Sequence, residues 1–172
     1  SIPSGEINRS IVDGTADLGV NCEKDLYPDT VVHKKLGTYQ AMLVASPEAD
    51  SRLLDFVTPH QRKPVSLICN EPEGYYQMDM DRYLEARDIR LEPYMKLQSI
   101  EAVKRCVMSN LGLAVVPTYS VEEELKNGSL VPVKTDLDEK LYHSVYVYHK
   151  NKWLSPQMEL ALKLLKQTMG VK

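Results

Sequence analysis

The chain holds no concentrated reactive centre. It has no G-x-G-x-x-G, no P-loop, no H-E-x-x-H, no C-x-x-C and no G-x-S-x-G nucleophile elbow. Of its four histidines, His33, His60, His143 and His149, only the last two are close. Their i, i+6 spacing on one strand face spans about 20 Å, too far to close on one metal. Cys69 has no flanking Lys, Arg or His to lower its pKa, so inert packing explains it better than redox chemistry. The run Glu122 to Glu124 suits the first turns of a helix and reads as a solvated face. What remains is hydrogen-bonding chemistry at two helix starts, Ser4 and Ser99. Each carries a hydroxyl beside free backbone N–H groups, and two such ends aimed at one cleft would hold a small anion such as a carboxylate. Ten tyrosines against one phenylalanine leave many rings with a polar handle, and Tyr75 and Tyr76 stand directly after the turn Asn70 to Gly74.

These residues need elements to carry them. Ser4 caps a first helix with Ile7 and Ile11 on one face, stopped by Gly14. Ala16 to Val20, Val31 to Leu36 and Ala41 to Ala45 read as strands, the last two separated at Gly37 and Thr38. Ser46 to Pro64 is punctuated by three prolines and reads as a connection with one short helical stretch, Ser51 to Val57. Val65 to Cys69 is a strand, Tyr76 to Arg87 a helix, and Tyr94 to Leu97 a short strand. Ser99 then caps an amphipathic helix whose inner face is Ile100, Val103, Val107 and Leu111. Gly112 falls where a left-handed residue ends that helix, and Leu113 to Val116 is an apolar strand. Ser120 caps a short acidic helix, Val121 to Lys126, followed by the strand Leu130 to Val133. Tyr142 to His149 alternates a Tyr/Ser set with a His/Val set and is a strand, and Ser155 with Pro156 opens a closing helix. Strands and helices alternate, which makes an α/β protein.

The composition limits the partners. The 172 residues include 43% hydrophobic and 26% charged side chains, an ordinary globular mixture, and 21 basic against 24 acidic residues give a net charge of −3. Bulk attraction to nucleic acid or an anionic membrane is therefore not expected. Apolar runs of about five residues are far short of the roughly twenty that cross a bilayer. Three widely spaced cysteines fit a reducing compartment, so the expected location is the cytoplasm.

Four stretches, in this order, resemble the effector-binding domain of LysR-type transcriptional regulators: DGTADLGV (Asp13 to Val20), NLGLAVVP (Asn110 to Pro117), NGSLVPV (Asn127 to Val133) and WLSPQM (Trp153 to Met158). The family pattern is a helix ending in Gly and Asp before an apolar strand, then a helix running into Gly-x-Gly and a strand ending in Pro. A Gly-Leu-Val strand and a Ser-Pro-started last helix complete it. This chain has Asn110 at the first glycine of Gly-x-Gly, a residue that tolerates the left-handed conformation. The family's first strand and its winged helix-turn-helix would precede Ser1, so the chain is expected to be a truncated sensor domain.

The resemblance implies an α/β, two-lobe periplasmic-binding-protein-like (type II) fold with mainly parallel sheets and two crossovers. Lobe I would be residues 1–46 plus 141–172, lacking its first strand, and lobe II residues 47–140. It implies a non-enzymatic, effector-sensing part of a bacterial transcription regulator, with no cofactor and no metal. A small effector, anionic or zwitterionic, would bind between the lobes against Ser4, Asn70, Glu71, Gln98 and Ser99, a set of hydrogen-bonding types. The full-length protein would be a homodimer or tetramer reaching DNA only through the helix-turn-helix and making no use of a membrane. In the dimer the Ile7/Ile11 helix would pair with the partner's Ile100 to Ser109 helix. A solute-binding protein or an enzyme built on the same fold is the alternative, since one fold serves several functions.

Overall fold

The computed structural model describes residues 4–22, 27–97, 99–137 and 139–168. Its elements in chain order are α1 (Ser4–Val12), β1 (Gly19–Cys22), β2 (Val31–Ala45), β3 (Gln61–Cys69), α2 (Tyr75–Ala86), β4 (Ile89–Lys96), α3 (Ile100–Met108), β5 (Ala114–Pro117), α4 (Glu122–Asn127), β6 (Val131–Val133), β7 (Leu141–His149) and α5 (Pro156–Thr168). The chain forms two compact units, Ser1–Tyr39 with Tyr142–Lys172 and Gln40–Leu141, and crosses between them twice.

In the first unit the strands run in the order β1-β7-β2, with β1 antiparallel to β7 from Gly19 opposite Val147 to Cys22 opposite Ser144. The alternation read in β7 is what fills both faces. Val145 and Val147 pack with Ile11 and Val31, joined by Ile7, while Tyr146 and Tyr148 pack with Leu36 and Leu162, joined by Leu165. Helix α1 sits very close to the sheet at Gly19, where a Cβ would lie 2.6 Å from Ile7 and 3.0 Å from Val147.

In the second unit β3 and β4 are parallel, with α2 connecting them, and a parallel bridge joins Leu67 to Leu113. The last residues of β2 pair antiparallel with β5 and with β6. Helix α3 closes a core of Val103 and Val107 against Val44, Ile68, Ala114, Val116, Val121 and Leu130. Gly112 lets the strand approach: a Cβ there would meet the Ser66 carbonyl at 2.5 Å and Ile68 at 3.0 Å. The left-handed residue after α3 is Asn110, at φ 58°, and not Gly112.

The sheets are mixed instead of mainly parallel. The reason is β2, one unbroken strand through Gly37 and Thr38 that meets β5 and β6 antiparallel. No helix spans 51–57; a single 3-10 turn covers Ser51–Leu53. Aspartates capture this backbone: Asp50 accepts from the Arg52 amide, and Asp55 from those of Val57 and Thr58. Phe56 is then fully buried, its carbonyl accepting from the Tyr83 hydroxyl at 2.8 Å. Ser120 does not cap α4, because its hydroxyl donates to the Pro117 carbonyl and Val121 holds the cap position.

The two helices expected at the dimer surface also pack partly against their own units. Ile11 is wholly buried with Ile7 beside it, and Cys106 and Met108 pack against the core of the second unit.

Candidate functional site

Ligands of open α/β sheets bind at the carboxyl ends of parallel strands, so the ends of β3 and β4 are the place to look. The two strands finish level: Cys69 lies opposite Lys96, and the Leu97 amide donates to the Cys69 carbonyl at 2.9 Å. Each then turns into a helix. After β3, Asn70 and Glu71 are half-buried in a turn closed by the Gly74 amide donating to the Glu71 carbonyl at 3.0 Å. Helix α2 starts at once, with Gly74 at its cap, no side chain capping it and no acidic residue in its first turn. The positive end of its dipole therefore has no carboxylate within the first helical turn itself.

After β4, Ser99 caps α3. Its backbone is extended (φ −145°, ψ 149°), and its Oγ accepts from the Ala102 amide at 3.2 Å. The hydroxyl proton stays available to donate, and the Ile100 and Glu101 amides have no acceptor among the described residues. Ser99 itself is exposed. The structure therefore brings Asn70, Glu71 and Ser99 to one edge of the second unit. Gln98 lies outside the described residues. Ser4 opens α1 in the first unit, as its first helical residue, and its hydroxyl lies outside the description.

A polar cluster adjoins this edge. Tyr94 of β4 donates to the Asp81 carboxylate of α2, which also accepts from Gln77 Nε2 at 3.1 Å. The Gln77 Oε1 is buried without a partner. Burial, then the hydrogen bond to Asp81, pushes the Tyr94 phenol well above its usual range. Burial likewise raises the Cys69 thiol, helped by Asp81 and opposed by Lys96, so the thiol stays protonated and unreactive near neutral pH. Tyr76 is buried, as helix packing requires. The residues from Gln77 to Tyr94 carry no local motif. Their meeting depends on α2 lying across β4, and a Gln and an Asp four apart on a helix were the only signal in the sequence.

A family model described as the LysR substrate binding domain matches residues 2–170. The uncharacterized HTH-type transcriptional regulator YfiE of Escherichia coli K12 is 28% identical over 162 residues, 94% of this chain and 54% of that protein. A RuBisCO operon transcriptional regulator of Acidithiobacillus ferrooxidans is 27% identical over 63% of this chain and 35% of its own length. The chain thus spans about half the length, or less, of these curated relatives. Among solved structures, the bromide-bound regulatory domain of HypT from Salmonella typhimurium superposes with a TM-score of 0.77 at 15% identity, covering 97% of this chain and 80% of that one. The CcmR regulatory domain of Synechocystis PCC6803 with 2-PG gives 0.74 at 13% identity, covering 98% and 81%. The fold is the two-lobe, type II periplasmic-binding-protein-like α/β fold. Both of these curated relatives are transcriptional regulators. With the four motifs of its sequence falling inside one family model that covers nearly every residue, the chain belongs to the LysR substrate-binding domain family.

Proposed function

We propose that the chain is the effector-sensing part of a cytoplasmic, oligomeric transcription regulator whose DNA contacts lie outside these residues. The two units serve as its two lobes. The effector is a small carboxylate or zwitterion that contacts Asn70, Glu71, Gln98 and Ser99 of the second unit and Ser4 of the first. The observation that supports this reading is that Asn70, Glu71 and Ser99 follow closely on the level carboxyl ends of β3 and β4, where two helices start. Amides and the Ser99 hydroxyl suit an anionic group, and the Glu71 carboxylate suits an ammonium on the same molecule. Binding regulates only through its preference for one arrangement of the lobes over another.

The test is calorimetric titration of full-length protein with a ligand selected from a thermal-shift panel of small carboxylates and amino acids. Ser99→Ala is expected to weaken binding about ten- to a hundredfold, the worth of one hydrogen bond to a charged group. Unchanged affinity in a folded Ser99→Ala protein would place the site elsewhere.

A further inference from the structure

The first unit carries an open surface pocket of about 270 Å³, formed without any residue of the second. It lies at the carboxyl end of α1, where Gly14, at φ 73°, turns the chain. Ile11, Val12 and Ala16 line its apolar side, and Asp13, Asp17 and Lys152 its charged side. The volume falls just short of the ~300–1,000 Å³ of sites for drug-sized ligands, so it suits a molecule of a few heavy atoms.

The sign of the charge follows from how these groups are committed. Lys152 is ion-paired with Asp17. Among the described residues the Asp13 carboxylate has no ion-pair partner. His149, also in the lining, accepts the Asn151 amide on Nδ1 at 3.2 Å, so that ring nitrogen is already engaged. Two carboxylates against one ammonium leave one negative charge, and the carboxyl end of α1 adds the negative pole of its dipole. An anion would face this field with the only lysine of the lining already engaged. A cation would be drawn to Asp13 while its carbon body covers Val12, which is 43% exposed.

We propose that this pocket binds a small organic cation, a primary amine with a short apolar body, at a site separate from the effector residues above. The proposal does not rest on the effector reading, because it requires only the first unit.

The probe is n-butylammonium chloride, titrated into the full chain with the methyl resonances of Ile11, Val12 and Ala16 as readout and sodium butyrate as the isosteric anion. Butylammonium is expected to give saturable shifts with a Kd of about 10 mM, as befits five heavy atoms, and butyrate to bind at least about tenfold more weakly. Asp13→Asn should weaken butylammonium about three- to tenfold, the range for an exposed charge. Lys152→Met, which releases the Asp17 carboxylate, should strengthen it. Equal shifts from butyrate, no saturation, or an Asp13→Asn chain that binds butylammonium as wild type would overturn the proposal. The comparison of the two probes on wild type needs no variant to fold.

Discussion

Ser99 combines two roles that a substitution series can separate. As a cap it satisfies the Ala102 amide; as a donor it faces the proposed effector. Ser99→Ala should lose both, costing about 1 kcal/mol of stability besides ligand affinity. Ser99→Asp keeps the cap and adds a charge of the wrong sign for an anion. Urea unfolding is expected to give near-wild-type stability for Ser99→Asp, together with a calorimetric loss of anion binding at least as great as that of Ser99→Ala. A second residue-level prediction concerns Lys104, buried between Glu124 at 2.6 Å and Glu101 at 3.0 Å and donating to the Ser120 carbonyl. Burial opposes its charge, but the hydrogen bonds to Glu124 and Glu101 outweigh this and hold its pKa up; the bond from Lys104 holds Glu124 below its ordinary value of 4.5. A depressed carboxyl contributes stability above its unfolded pKa and loses it as pH falls through the folded one. The unfolding free energy should therefore decline below about pH 4.5, and Lys104→Met should lose roughly 2 kcal/mol at neutral pH, between exposed and buried pairs, with a flatter acid limb.

Elements were read from the sequence wherever one face had to be apolar. The alternating β7, the amphipathic α3 and the Ser-Pro start of α5 appear where periodicity and caps put them, except that α3 ends at Met108 and leaves Leu111, read as part of its inner face, exposed. Two of the misreadings share a cause, a partner far away in sequence, and one is local, a hydroxyl captured three residues back. Ser120 turned back to Pro117, but Phe56 was drawn into the core by Tyr83, 27 residues on, and β2 bridged Gly37 because strands on both sides held it. At the candidate site Asn70, Glu71 and Ser99 were legible because each follows a strand end or starts a helix. Gln77, Asp81 and Tyr94 were not, since only the packing of α2 on β4 unites them. The two motif glycines separate propensity from packing. Gly14 is left-handed with open space around it, so Gly14→Ala should cost about 1–2 kcal/mol. Gly112 abuts the Ser66 backbone, which cannot yield as a flexible side chain does, so Gly112→Ala should cost more, about 2–3 kcal/mol. Thermal unfolding of the pair checks the order.

For the molecule as a whole, the net charge of −3 and the scarcity of basic clusters, pairs such as Lys34/Lys35 and Arg62/Lys63, predict no sequence-selective DNA binding by these residues alone. A gel shift at about 150 mM salt with the isolated chain should show none, and a selective shift there would refute the assignment of DNA contact to other parts of the protein. The passage of β2 through both units carries a different kind of consequence. Val32 and Leu36 face one core of the first unit, and Met42 and Val44 face the core under α3 in the second. All four positions are even-numbered, while the odd-numbered Val31, Ala41 and Leu43 are buried as well, so parity along a single strand decides which side chains enter which core. There is no loop between Leu36 and Ala41 in which an extra residue could be absorbed. One residue inserted at Thr38 would turn Ala41 and Leu43 toward the α3 core and expel Val44 from it, whereas two inserted residues would preserve the sides and shift only the pairing. Length variation across this crossover should therefore accumulate in steps of two, an arithmetic constraint on how the two halves of the chain can diverge.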